Sequence, residues 1–184
     1  MCIRDSLDTL KGSGPPELTA VVERLACRMV LLAGQETDAT VAGRRVSDAL
    51  SSGRALEKFA RMIECQGGNP RVVEDYSLLP STAERETFRA PRDGYLAALK
   101  AEGIGRASNV LGAGRTRVGD AIDHGVGIIV LAKPGDAVTK GQPLLELHHR
   151  HGRGVESALD LCRAAVAIED IPPPHKDKVL GEVR

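Results

Sequence analysis

Three clusters in this chain combine residue types that could do chemistry. Gly112-Ala113-Gly114-Arg115, inside LGAGRTR, joins a glycine-rich backbone to a guanidinium, the makings of a phosphate cradle with Arg115 as charge partner. The structural alternative is a tight turn made possible by the glycines, with Arg115 paired to Asp120 or Asp123. Gly12-Ser13-Gly14 stands ahead of a helical pattern, where an anion would find free amides, but Pro15 and Pro16 remove donors at that point. No strand precedes it, so it reads as a turn connecting helices. His148, His149 and His151 suggest a metal cluster. On a continuing strand His148 and His149 point to opposite faces, and no acidic or Cys ligand completes the set, so they read as a solvated strand end.

The elements that must position these residues are marked by glycine, proline and hydrophobic spacing. Gly112, Gly114 and Gly119 break the backbone, and Gly127 to Leu131 is a β-branched run too short for a helix, which predicts a buried strand. Pro134-Gly135-Asp136 and Lys140-Gly141-Gln142 supply turns on either side of a short extended piece, and Leu144 to Leu147 resumes a strand. Upstream, Leu7 and Leu10 end a helix at Gly12. Pro15 and Pro16 preset a second, in which Leu18, Val21, Val22, Leu25, Met29 and Leu32 form an apolar stripe up to Ala33, with Gly34 as its stop. Further helices are expected over Ala39–Ser52 and Ala55–Gln66, followed by a connector from Pro70 to Ser81. Glu86–Ala90, a turn at 91–94, and Tyr95–Leu99 predict a hairpin-like corner. A short helix is expected over Ile104–Leu111 and a longer one over Val155–Ile168. Pro172-Pro173-Pro174 stays extended, and Val179–Val183 is expected as an edge strand.

Composition narrows the function classes. Lys+Arg and Asp+Glu number 25 each in 184 residues, so the basic footprint of nucleic-acid binding is missing. Cys2, Cys27, Cys65 and Cys162 form no CxxC pair, which speaks for reduced thiols over a zinc knuckle or a disulfide framework. No apolar run approaches the roughly 20 residues needed to span a bilayer, and no secretory signal is recognisable, so a soluble, cytoplasmic protein is expected. Met1–Ser6, MCIRDS, is aperiodic and reads as a sequence scar.

Four stretches stand in one order: LDTLKGSGPPEL at Leu7–Leu18, SGRALEKFARMIECQGGNPRVVEDYSLLP at Ser52–Pro80, LGAGRTR at Leu111–Arg117, and DAIDHGVGIIVLAKPGDAVTKGQPLLELH at Asp120–His148. Together they resemble the C-terminal portion of the pyrimidine-nucleoside phosphorylase and thymidine phosphorylase family. The resemblance implies an α+β chain in three parts. Residues 1–66 would be the helical end of the α/β domain, 67–84 a connector, and 85–184 the C-terminal domain, with a barrel-sandwich-like sheet. It also implies that the chain is the back half of a longer, dimeric enzyme. In that case the apolar faces of helices 18–33 and 55–66 would lie exposed.

The family reaction is phosphorolysis of pyrimidine nucleosides, with inorganic phosphate as co-substrate and no further cofactor. The family's KxSxGG phosphate loop has no counterpart here, and its base-binding Arg, Ser and Lys cluster falls before the matched stretches. No catalytic, phosphate-binding or substrate-binding residue is therefore carried over, and the chain alone is expected to be inactive. Family members can bind potassium through an acid just upstream of the LDTLKG match. Asp5 would fall there, but its companions are absent and no metal is assigned. The resemblance favours the structural reading of the Gly112–Arg115 loop. Specificity for thymidine alone or for pyrimidine nucleosides in general would rest on residues outside the chain. The competing classes are a biotinyl or lipoyl carrier, whose turns resemble APRDGYL and KPGDAVTKGQPLLEL, and a non-catalytic interaction domain. A carrier requires a suitably flanked lysine on a hairpin tip, and Lys100, Lys133 and Lys140 have no such flanks.

Overall fold

The computed structural model describes residues 2–115, 117–174, 177, 179 and 181. Its contacts divide the chain into two compact units, the first up to Leu78 and including Asp177, the second beginning at Leu79. The expected edge strand at Val179–Val183 lies largely outside the described residues.

The first unit is helical. Helix α1 spans Cys2–Leu10, α2 Pro16–Leu32, α3 Ala39–Ser51 and α4 Arg54–Cys65. Local chemistry sets their ends. Pro16 occupies the first turn of α2, where its missing N–H costs nothing, and Gly34 follows the helix at φ +65°, a left-handed stop. The Asp38 carboxylate caps α3 by accepting from the amides of Thr40 at 2.7 Å and Val41 at 3.0 Å. Those two bonds hold its pKa below the ordinary carboxylate value. Ala42 and Val46 form the buried face of α3, on which α2 packs. No residue of α2 is fully buried; Leu18, Val21 and Val22 of its stripe are half-buried, while Leu25, Met29 and Leu32 are 60%, 69% and 87% exposed. Two short 3-10 turns, Pro70–Val73 and Tyr76–Leu78, occupy most of the segment expected as a connector.

The second unit is α+β. Strands β1 (Arg85–Arg89), β5 (Pro143–His148) and β3 (Gly127–Val130) form one antiparallel sheet in the order β1-β5-β3. Strands β4 (Ala137–Val138), β2 (Gly94–Leu99) and β6 (Val166–Glu169) form another, in the order β4-β2-β6. Helices α5 (Ala101–Ser108) and α6 (Val155–Ala165) pack on each other. One hydrophobic core joins both sheets and both helices. It includes Phe88, Leu145 and Leu147 from the first sheet, Leu96 and Val138 from the second, and Ala107 and Cys162 from the helices. Leu144 and Leu145 are adjacent, so their side chains leave opposite faces of β5, and both are fully buried. β5 therefore has apolar cover on both sides.

Two expectations are corrected here. The segments expected as a hairpin-like corner do not pair: β1 hydrogen-bonds to β5 and β2 to β4 and β6, so the 91–94 turn passes the chain from one sheet to the other. Gly94 makes the passage possible, since it has φ +146° and a Cβ there would lie 2.6 Å from the Glu169 carbonyl oxygen. The C-terminal helix stops at Ala165 rather than Ile168. The Lys100 amide takes the Ala165 carbonyl at 2.9 Å, and Val166–Glu169 pairs antiparallel with β2, from Leu99↔Val166 to Tyr95↔Glu169. β-Branched Val166 and Ile168 gain more as an edge strand than as a further helical turn. No helix among the described residues is long and apolar enough to cross a membrane.

Candidate functional site

The LGAGRTR stretch sits where α5 runs out. After Ser108 the helix widens into a π-type turn over Asn109–Ala113, in which Gly112 has φ +109°. Gly112 is required by that positive φ, and a Cβ on Gly114 would fall 1.8 Å from the Asn109 Oδ1. The Gly112 carbonyl accepts the Asp123 amide at 3.0 Å. The Asp123 carboxylate accepts from the Gly125 amide at 2.9 Å, from Arg150 Nε at 2.7 Å and from Arg150 Nη2 at 3.3 Å. The Arg150 bonds first, and the Gly125 amide second, hold the Asp123 carboxyl below its ordinary range. Arg153 lies alongside, with its Nη1 3.4 Å from where a Gly112 Cβ would stand.

This arrangement corrects the sequence reading of Arg115. The cation on Asp123 is Arg150, beyond the end of β5, and Arg115 stays exposed in the loop. Asp120 accepts the backbone amide of Arg117 at 2.8 Å. β5 runs the full length of the sheet, so its end returns to the 112–125 loop, and a partner 27 residues away in sequence arrives beside Asp123. Asp123, paired with Arg150 and bonded through its amide to Gly112, anchors the loop.

The Gly12-Ser13-Gly14 turn closes on α1. The Gly12 amide donates to the Thr9 carbonyl at 3.1 Å and the Ser13 amide to the Asp8 carbonyl at 2.8 Å, so these donors are already taken. Sequence reasoning missed what holds the region. Tyr76 Oη donates to Asp8 Oδ1 at 2.6 Å, Lys11 Nζ donates to Tyr76 Oη at 3.2 Å, and the same ammonium stands 4.4 Å from the ring centroid. Burial first, then the Asp8 bond, raises the Tyr76 pKa. Asp5 lies within α1, and its carbonyl accepts the Thr9 hydroxyl at 2.7 Å.

The histidines do have acidic companions, contrary to the sequence reading. His148 Nε2 lies 2.7 Å from Glu146 Oε1, its neighbour on the same strand face. His149 Nδ1 lies 3.5 Å from Glu84 Oε2 and accepts the Gly152 amide at 3.3 Å, while the His151 amide donates to Glu84 at 2.8 Å. Glu84 comes from the start of the unit and could not be matched to them by spacing. Each histidine thus serves a local contact, and among the described residues no group of three or more His, Cys, Asp or Glu is placed to hold a metal ion. Of the three lysines considered for a carrier, two lie in tied turns, where the Lys133 amide donates to Asp136 at 2.7 Å and the Lys140 amide to Asp93 at 2.6 Å, and Lys100 is the N-cap of α5.

The pyrimidine nucleoside phosphorylase C-terminal domain family matches residues 95–169, from the second residue of β2 to the last of β6. A pyrimidine-nucleoside phosphorylase of Staphylococcus epidermidis is 41% identical over 146 residues, 79% of this chain and 34% of the relative. One from Staphylococcus aureus (strain USA300) is 35% identical over 182 residues, 98% of this chain and 42% of the relative. The chain thus spans between a third and a half of the length of the relatives it matches. The family match over residues 95–169 and similarity extending across nearly all residues place this chain in the pyrimidine-nucleoside phosphorylase family, with the family's C-terminal domain in its second unit.

Proposed function

We propose that this chain serves as the C-terminal portion of a pyrimidine-nucleoside phosphorylase, an enzyme that transfers the pentosyl group of a pyrimidine nucleoside to inorganic phosphate and releases the base. The observation that carries the reading is similarity across 98% of this chain to a pyrimidine-nucleoside phosphorylase of which it covers 42%. In this role the second unit is a scaffold: its glycine loop is locked by Asp123 and Arg150, and its histidines and lysines serve turns and strand ends. Attack of phosphate on the anomeric carbon and departure of the base as an anion need donors aimed at both charges. Those groups belong to the remainder of the whole protein. The same reading makes the two sheets a barrel-sandwich-like module, the whole protein a cytoplasmic homodimer, and the exposed part of the α2 stripe a surface covered within it.

The test is phosphorolysis of thymidine and uridine, followed as release of free base, by this chain alone and by a protein that joins it to the upstream part of a phosphorylase. Activity in the joined protein and none in the chain alone is expected. Turnover by the chain alone would show that catalytic groups lie within it.

A further inference from the structure

A groove of about 530 Å³ opens in the second unit between β1, α6 and β6, away from the loop and the histidines described above. Its apolar wall comes from Phe88, Leu159, Val166 and Ile168, and its rim carries Arg89, Arg92 and Arg163 with no acidic residue among the lining side chains. A volume in the small-ligand range, with an apolar floor and a few converging cations, is how proteins hold a small organic anion.

The three guanidiniums differ in what already occupies them. Arg92 is fixed: it donates to the Ile168 carbonyl, to the Asp93 carbonyl at 3.2 Å and to Asp170 at 2.5 Å. Arg163 pairs with Asp160 one helical turn away, and both side chains are mostly exposed. Arg89 donates to the Gly141 carbonyl at 3.0 Å and has no carboxylate within ion-pair distance among the described residues. Exposed one-to-one pairs are worth little in water, so an anion that also covers the apolar wall would compete with Asp160 for Arg163. Arg89 needs no such exchange. Charge complementarity alone would suit inorganic phosphate as well, but the apolar wall is covered only by a ligand with a hydrocarbon body.

We propose that this groove binds a small organic oxyanion, an aromatic ring bearing a carboxylate or a phosphate monoester, with the ring against Phe88, Leu159 and Ile168 and the anion between Arg89 and Arg163. The inference does not rest on the phosphorylase reading, since every group named lies in the second unit and the argument uses only their charge, burial and contacts.

The test is titration of the 184-residue chain with phenyl phosphate and with benzoate, read by amide chemical shifts. Shifts centred on β1, α6 and β6 that saturate below about 10 mM are expected, with the tighter of the two naming the headgroup. Inorganic phosphate and benzyl alcohol should each bind at least about tenfold more weakly, because each satisfies only half of the site. The double variant Arg89→Glu/Arg163→Glu, confined to exposed side chains, should weaken phenyl phosphate by at least about tenfold while leaving the shifts of the core residues in place. Failure of both ring-bearing anions to saturate, shifts centred elsewhere, or equal binding of inorganic phosphate would overturn the proposal.

Discussion

Truncating the same side chain at two positions separates burial from identity. Leu145 is 0% exposed, in the central strand of its sheet, cross-strand from Phe88 and Val130, and its neighbour Leu144 fills the opposite face. Leu145→Ala therefore removes packed methyl groups from a site with little freedom to collapse. The expected loss is toward the upper end of the usual range for buried leucines, about 4 kcal/mol. Leu25 is 60% exposed on α2, so Leu25→Ala should change stability by no more than about 0.5 kcal/mol, helped by alanine's helix propensity. Tryptophan is absent and there are two tyrosines, so urea unfolding is best followed by far-ultraviolet circular dichroism. The chain has two units, and the transition of the second is the one that Leu145 should shift, at unchanged slope. A loss below about 1 kcal/mol at Leu145, or an equal loss at Leu25, would refute the placement of the core on β5.

Three other outcomes follow from the geometry. Asp123 has its pKa lowered from 3.8 by Arg150 and the Gly125 amide, so the pair stabilises the fold above the unfolded value, and that contribution disappears as pH falls through the folded one. Carboxyl titration by NMR should place Asp123 below 3.8 in the native chain and return it upward in Arg150→Ala, whereas an unmoved titration would show that Arg150 does not hold it. Burial pushes the Cys162 thiol up to about 11, and the side chain is inaccessible, so iodoacetamide at neutral pH should alkylate exposed Cys65 and reach Cys162 only on unfolding. Peptide mass spectrometry reads the order, and early labelling of Cys162 would contradict its burial. Gly154 has φ +67° and a Cβ there would fall 2.4 Å from the Val110 carbonyl oxygen, while Gly34 has φ +65° in open space. Gly34→Ala should cost about 1 kcal/mol by conformation alone and Gly154→Ala distinctly more by thermal unfolding, with equal losses counting against the close approach.

What the sequence revealed were the features set by near neighbours. Pro15-Pro16 and Gly34 bracket α2 within two residues of its observed ends, and the two turns around β4 follow from Pro134-Gly135-Asp136 and Lys140-Gly141-Gln142. The features it concealed depend on partners far away in the chain. Val166–Glu169 continues a helical spacing without a glycine or proline to stop it, and only β2, some 70 residues upstream, makes it a strand. The partition of β1 and β2 into different sheets is likewise decided by β5 and β6, which a turn at 91–94 cannot announce. In the candidate site the glycines of the 112–115 loop were legible as turn formers. The competition for Asp123 was not, because Arg150 and Arg115 are equivalent cations until β5 places one of them 2.7 Å away. The link between Glu84 and the 149–151 segment was hidden for the same reason.

The most direct test of the central claim is base release from thymidine and uridine in the presence of phosphate, measured for the 184-residue chain and for the same chain joined to the upstream part of a pyrimidine-nucleoside phosphorylase. The account predicts phosphorolysis by the joined protein and none by the chain alone. Phosphorolysis by the chain alone, or a folded joined protein that releases no base, would contradict it.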